Sequence, residues 1–204
     1  MSARVAAAPE RRTHAERSAY TRERVMAAVV ESIADVGYQR TTATAIAQRA
    51  GVTWGAVQHH FGDKDGILMA VLEDSFQRLA TTLGEGPAKA DGLDRRAARF
   101  VERAWLHFSS AHYRSTFEIL LNLPDDHEVA WQKDMLRAWN RVWAEYFPDS
   151  TLTRRQTVDL MHYAISTLSG LAAMRMLEGA NTRVSPSELG FLKDTLKREL
   201  VARG

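Results

Sequence analysis

The chain has 204 residues, of which 45% are hydrophobic and 25% charged, and its formal net charge is +2 at pH 7. It contains no cysteine, which excludes disulfides, thiolate chemistry and cysteine metal ligands. No apolar run approaches the length of a transmembrane helix, and the first residues have no hydrophobic segment of signal-peptide length. We therefore expect a soluble, cytoplasmic protein.

The hydrophobic pattern predicts an all-α fold, because no segment alternates apolar and polar residues for long. Residues 1–16 are predicted to be a flexible basic arm, and a first helix follows over about 17–36 and ends at Gly37. After two short helices described below, further helices are predicted from 64 to a break at 84–92, and then over about 93–111, 113–123, 125 or 126 to 147, 153–178 and 185–203.

Residues 42–64 predict two short helices joined by a glycine turn. Thr42 or Thr44 can cap the first helix, whose apolar residues Ile46, Ala47 and Ala50 share one face. Gly51 suits the positive φ of the turn that follows.

Thr53 can cap the second helix, and its residues divide between two faces. Those expected to point inward are Ala56, Val57 and Phe61. Those left for solvent or a ligand are Trp54, Gly55, Gln58, His59 and His60. A helix this short and polar is not stable alone and must be held by its neighbours. Two short helices joined by a tight turn, with polar residues exposed on the second, are typical of a helix-turn-helix that reads DNA.

Several motifs then occur in order within residues 22–76: Val36-Gly37-Tyr38, Thr41-Thr42, Ile46-Ala47, Ala50-Gly51-Val52, His59-His60-Phe61 and Lys64. This stretch closely resembles the N-terminal DNA-binding domain of TetR-type bacterial transcriptional regulators. Gln58 departs from the family pattern, which usually has a tyrosine there. The resemblance implies a three-helix DNA-binding domain over residues 17–63 and a helical ligand-binding and dimerisation domain over 64–204. It also implies a repressor that a ligand releases from a two-fold operator.

DNA contacts are predicted for Thr42, Thr44, Thr53, Trp54, Gly55, Gln58, His59, His60 and Lys64. The Gln58 amide can pair bidentately with adenine, and Lys64 is expected to meet a phosphate. His60 either meets a phosphate or packs internally, and Trp54 either contacts DNA or packs on its own helix. Residues 1–64 carry nine Lys or Arg against six acids, a basic excess in keeping with this assignment.

The helices at 153–178 and 185–203 are, by the same resemblance, the expected homodimer interface. Small residues that permit close helix packing are Ser166, Ser169, Gly170, Ala172 and Ala173. The pattern alone fits packing within one chain equally well. A dimer has a separate rationale, because it places two recognition helices in successive major grooves about 34–36 Å apart.

A stripe of aromatic residues predicts either plain core or a pocket for a small apolar or aromatic ligand. The predicted ligand-binding residues are Trp105, Phe108, Phe117, Leu121, Trp131, Met135, Trp139 and His162. Further polar anchors could come from Asn122, Tyr163 and Arg175.

Two other functions remain as alternatives, a constitutive DNA-binding dimer without a ligand and an all-helical enzyme. The sequence has no HExxH motif and no phosphate-cradling glycine loop. His59 and His60 diverge by about 100° around a helix, which hinders a shared metal. We therefore predict no catalytic residues, metal or cofactor.

Overall fold

The computed structural model describes residues 13–84, 86–87, 91–123, 130–178 and 185–201, with backbone only at 130–132, 134–136 and 186. Within these ranges the regular structure is helical throughout, which confirms the predicted all-α class. The α-helices are α1 (His14–Val36), α2 (Ala43–Ala50), α3 (Trp54–Phe61), α4 (Lys64–Leu83), α5 (Leu93–Phe108), α6 (Ala111–Leu121), α7 (Ala130–Tyr146), α8 (Arg154–Glu178) and α9 (Pro186–Val201). A short 3-10 helix, Tyr38–Arg40, follows α1.

The chain divides into two compact units, and the division falls between Ala70 and Val71, within the residues of α4. We call them the N-terminal and C-terminal units. The domain assignment made from the sequence, with limits at residues 16 and 63, stays a prediction. Residues 1–12 of the predicted arm lie outside the described residues.

The first helix begins at His14 instead of Arg17, because Thr13 and Glu16 form a capping box. The Thr13 hydroxyl accepts a hydrogen bond from the Glu16 amide (3.2 Å), and the Glu16 carboxylate accepts one from the Thr13 amide (2.7 Å). These two bonds satisfy amides that a helix start otherwise leaves without partners. The capping box therefore extends α1 by almost a turn.

In the N-terminal unit α1 packs against α2, and α2 packs against α3. The residues with at most 1% of their surface exposed include Val25, Val29, Ile33, Ile46 and Val57. Val36 is 37% exposed, because it is the last residue of α1 and the chain turns away at Gly37.

The core of the C-terminal unit is built around Phe100 of α5. Its ring lies 5.4–6.5 Å from the ring centroids of Trp139, Trp143, Tyr146 and Phe147, mostly edge to face. Such geometry is the favoured one for aromatic pairs. Buried side chains of α8 and α9 complete this core: Leu160, Met161, Ala164, Leu168, Leu192 and Leu196.

The break between α5 and α6 comes earlier than predicted, at two serines. Ser109 ends α5, and the Ser110 hydroxyl caps α6 by accepting a hydrogen bond from the Tyr113 amide (3.1 Å).

None of the described helices combines the length and apolar character that a membrane crossing requires.

Candidate functional site

The turn between α2 and α3 is fixed by backbone hydrogen bonds. Gly51 has φ 63°, and its amide donates to the Gln48 carbonyl (3.0 Å) while the Val52 amide donates to the Ala47 carbonyl (3.1 Å). This pair of bonds is a Schellman motif, in which a left-handed residue satisfies the last carbonyls of a helix. The Thr42 hydroxyl caps α2 by accepting from the Ala45 amide (3.2 Å), so Thr42 is the cap and Thr44 is not.

One face of α3, the second helix of the motif, is buried, and the opposite face is exposed. Its cap is the Thr53 hydroxyl, which accepts a hydrogen bond from the Ala56 amide (3.2 Å). Val57 is fully buried, whereas Ala56 and Phe61, which were predicted to point inward, are half-buried. The outer face of α3 therefore stays accessible.

The nine predicted DNA-contacting residues all keep some exposure. Six are exposed: Thr42, Thr44, Thr53, Gly55, Gln58 and His59. Three are half-buried: Trp54, His60 and Lys64. The arrangement thus presents hydroxyl, amide, imidazole and ammonium groups on the helix-turn-helix and at the start of α4.

Gly55 has no packing reason to be glycine. A Cβ built there comes no nearer than 4.0 Å to its closest neighbour, the Thr53 hydroxyl. Gly55 is the second residue of α3, and glycine in a helix costs up to about 1 kcal/mol relative to alanine, so α3 is weakened without a benefit inside the described fold. The advantage is then expected outside it, where a bare backbone permits close approach by a ligand.

Arg22 fastens the end of α3 to α1, and sequence reasoning missed this role. Its guanidinium donates a hydrogen bond to the His60 carbonyl (3.0 Å) and lies 4.7 Å from the centre of the Phe61 ring. The bond joins residues 38 positions apart, so no local pattern reveals it. It supplies one of the hydrogen bonds that the last carbonyls of a helix require.

Lys64, the predicted phosphate ligand, is held in place by an aromatic ring. Its ammonium nitrogen lies 4.8 Å from the centre of the Tyr38 ring, a cation–π distance. The Asp63 carboxylate caps α4 beside it by accepting from the Gly66 amide (2.8 Å). The Tyr38 ring therefore restricts the position of the Lys64 ammonium group, which follows the end of α3 by three residues.

Among the residues whose side chains the structure describes, the predicted ligand-binding residues are divided between the core and the surface. Phe108 and Trp139 fill the core, at 3% and 5% exposure, and Trp105 and Phe117 pack against that core. Leu121 is 69% exposed. His162 is exposed as well, and the side chains of Trp131 and Met135 lie outside the described residues. The periodicity of the aromatic residues correctly predicted a buried face on α7. It does not show whether other helices or a ligand cover that face.

A different cavity, of about 320 Å³, lies in the C-terminal unit beside α4. We call it the α4 cavity, and it is lined by Arg78, Thr81, Thr82, Leu106, His107, Ser110 and His112. Its residues come from α4, α5, the α5–α6 turn and the first turn of α6, and no spacing in the sequence connects them. The volume is at the lower end of those found for small-molecule sites.

Two imidazoles at this cavity are held neutral. Burial, followed by the charges of His112 and Arg78, lowers the pKa of His107 to about 4. Burial and Arg78 also lower the pKa of His112, although Asp74 opposes them. His107 Nε2 is 3.5 Å from the Ser75 hydroxyl, and His112 Nε2 is 3.6 Å from the Asp74 carboxylate, which also pairs with Arg78. At neutral pH the cavity therefore offers neutral hydrogen-bonding groups and one guanidinium.

The chain is similar to proteins of a known family in the region that contains α2 and α3. Residues 25–71 match the model of the family described as "Bacterial regulatory proteins, tetR family". Two curated relatives, both described as HTH-type transcriptional regulator BetI, come from Burkholderia thailandensis and Burkholderia ambifaria. They are 27% and 28% identical over 86% of this chain and 78% and 79% of their own length.

Solved structures share the fold. A TetR-family transcriptional regulator from Vibrio parahaemolyticus has a TM-score of 0.64 and 18% identity, covering 88% of this chain and 98% of its own. The regulator FadR from Bacillus subtilis, solved in complex with stearoyl-CoA, has a TM-score of 0.67 and 13% identity, covering 89% of this chain and 99% of its own. The family model covers α2 and α3, so the exposed face described above lies within the matched region.

Proposed function

We propose that this chain, which belongs to the TetR family of bacterial regulatory proteins and is a DNA-binding transcriptional regulator, acts as a repressor that a small molecule releases from a two-fold operator. The observation that carries the proposal is the exposed polar face of α3 above the fully buried Val57. A short helix held in this way can enter the major groove.

At the DNA, Gln58 is the proposed base-reading residue. Its exposed amide can donate to and accept from one base edge, which suits adenine. Lys64 is proposed to meet a phosphate, and Thr42 and Thr53 present hydroxyls at the starts of α2 and α3. The basic excess of residues 1–64 supports attraction to the DNA backbone.

Selection of binding sites from random DNA tests this assignment. We expect an enriched two-fold sequence whose half-sites lie one helical turn, about 34–36 Å, apart. Gln58→Ala should relax the preference at one position per half-site, at a cost of about 1–3 kcal/mol. Lys64→Ala should weaken binding to all sequences alike and lower the salt slope of affinity by about 1.

Gln77→Ala, at an exposed glutamine of α4 in the C-terminal unit, is the matched control and should leave both quantities unchanged. Enrichment of no sequence by the wild-type protein would show that the operator proposal is wrong.

The proposed homodimer interface is an exposed apolar stripe on α8 and α9. On α8 the exposed fractions are 48% for Tyr163, 53% for Met174 and 81% for Leu177. On α9, Phe191 is 73% exposed and Val201 is 67% exposed. Side chains at these spacings share one face of each helix, opposite to the buried residues, so a second copy of the chain can cover them.

Gly170 offers a clean test of this interface, because a Cβ at that position meets nothing within 4 Å. Gly170→Arg should therefore leave the protomer folded while placing a charge in the stripe. Sedimentation is expected to show a dimer for the wild-type protein and for Ala144→Arg, an equivalent change at an exposed position of α7, and a monomer for Gly170→Arg. A dimer that survives Gly170→Arg unchanged would place the interface elsewhere.

The α4 cavity is the proposed effector site, in preference to the aromatic stripe, because Phe108 and Trp139 already fill the core. FadR, whose fold is similar, was solved with stearoyl-CoA, which supports the capacity of this architecture to hold an organic ligand. A ligand in the cavity would contact Arg78, Thr81 and Thr82 of α4, the helix whose residues belong partly to each unit. It weakens operator binding only by its differential affinity for the two states, about 1.4 kcal/mol for each tenfold change.

Titration of the operator complex with stearoyl-CoA and a panel of small organic acids tests the release. Leu106→Trp should fill the α4 cavity and abolish the response of the wild-type complex without changing operator affinity, because Leu106 is 64% exposed and lies outside the core. If no compound tested shifts operator affinity, the alternative of a constitutive DNA-binding dimer is favoured instead.

A further inference from the structure

We propose that a cleft between α1 and α3 binds a phosphate of the operator backbone and makes operator affinity rise as pH falls. This inference rests on the proposed operator binding by α3. The cleft has a volume of about 200 Å³ and is lined by His14, Arg17, Ser18, Thr21, His59 and His60. We call it the histidine cleft.

One wall of the histidine cleft is a single face of α1. His14, Arg17, Ser18 and Thr21 follow the spacing i, i+3, i+4, i+7, which places side chains next to one another on a helix. This wall exists because the capping box of Thr13 begins the helix before His14. Without that cap, the first two of these side chains would have no fixed direction.

The other wall is the C-terminal end of α3. The ring centroids of His59 and His60 lie 5.3 Å apart, and Arg22 holds the His60 carbonyl, so both rings belong to a fixed piece of backbone. Since the outer face of α3 is proposed to lie in the major groove, an anion beside the end of α3 is most simply a phosphate that borders this groove.

The chemistry of the lining suits a phosphate. Arg17 is exposed and offers several N–H donors, Ser18 offers a hydroxyl, and each imidazole offers one N–H when neutral and two when protonated. The Thr21 hydroxyl already donates to the Arg17 carbonyl (2.9 Å), so it shapes the cleft without donating to the ligand. The one acid in this turn of α1, Glu16, has its carboxylate bound to the Thr13 amide.

A phosphate changes the protonation of this cluster. Burial lowers the pKa of His60, and the basic groups His59, Arg22 and His14 lower it further. A bound phosphate acts in the opposite direction, because a nearby negative charge favours the imidazolium. Binding then takes up protons, so operator affinity is constant at high pH and increases as pH falls through the higher pKa of the complex.

The test measures operator affinity between pH 8 and pH 6 at constant ionic strength. Each imidazole that titrates between its free and bound pKa adds up to about a tenfold gain in affinity per pH unit. We expect the wild-type affinity to rise several-fold, and His60→Gln to show a much flatter profile. This substitution keeps the bond from Arg22, because the acceptor is the backbone carbonyl of residue 60.

A second arm uses salt instead of pH. Arg17→Ala should lower the salt slope of operator affinity by about 1, as loss of one phosphate contact requires. Arg95→Ala, at an 80% exposed arginine of α5, is the control and should leave the slope unchanged. Helix content by circular dichroism checks that α1 survives each substitution.

The outcomes separate this inference from the proposal on which it rests. If His60→Gln keeps the wild-type pH profile, or Arg17→Ala keeps the wild-type salt slope, the histidine cleft does not bind phosphate as proposed. Sequence preference that still depends on Gln58 in the same experiment would show that operator reading stands without it. Absence of any sequence preference in the wild-type protein would instead remove the operator proposal.

Discussion

The buried imidazole of His107 should make folding stability depend on pH in a defined window. The residue is only 6% exposed, and its pKa is lowered from 6.5 to about 4 in the folded chain, chiefly by burial. Above pH 6.5 both folded and unfolded states are neutral, and this group costs nothing. Between pH 6.5 and 4 the unfolded state binds a proton that the folded state does not, so stability falls by about 1.4 kcal/mol per pH unit. The full loss across the window is about 3 kcal/mol.

Urea unfolding at pH 7.5 and pH 4.5, at one protein concentration, measures this loss. Acidic groups also titrate in this range, so the informative quantity is the difference between wild-type protein and His107→Gln. The wild type should lose about 2–3 kcal/mol more than His107→Gln on acidification. His162→Gln, at an exposed histidine of α8, is the control and should lose as much as the wild type.

Two results would refute this reasoning. One is an equal loss of stability in wild-type protein and His107→Gln. The other is a titration of the His107 imidazole by NMR with its midpoint near 6.5, since such a group would bind its proton in the folded state as readily as in the unfolded one. The NMR measurement needs no variant and so does not depend on His107→Gln folding.

Three further substitutions have expected outcomes. Gly55→Ala should stabilise α3 by up to about 1 kcal/mol in urea unfolding, because the added Cβ meets no close neighbour in the protein. It should nevertheless weaken operator binding, and tighter or unchanged binding would remove the argument for close approach. Thr53→Ala should cost about 1 kcal/mol of stability through loss of the bond from the Ala56 amide, and Thr53→Ser should restore it. Tyr146→Phe should cost about 0.5–1.5 kcal/mol, because its hydroxyl donates to the Leu83 carbonyl at 2.7 Å, and a loss above 3 kcal/mol would contradict this.

The helix-turn-helix could be predicted in detail because its determinants are local. The Thr53 cap acts three residues along the chain, and Gly51 needs only its own φ, so short sequence patterns carry both. The capping box at Thr13 is equally local, and its threonine and glutamate spacing was open to the same reasoning although the predicted helix began later. Exposure of Gln58 follows from the same register.

The features that escaped prediction depend on contacts between distant segments. Arg22 reaches a carbonyl 38 residues away, and His107 meets Ser75 across 32 residues. Hydrophobic periodicity correctly marked the side of α7 that carries Trp139 as buried, but it does not distinguish a packed core from a ligand pocket. The partners that cover such a face are decided by packing between helices, which a single sequence pattern does not encode.

The bond from Arg22 to the end of α3 has a consequence for how new specificities can arise. Since that end is secured from underneath, the outward side chains at Gln58 and its neighbours contribute little to holding the helix in position. They can be exchanged while the scaffold keeps its shape. The side chains proposed to recognise DNA are therefore different from those that hold α3 in position, so substitutions at the former can change specificity without unfolding the domain.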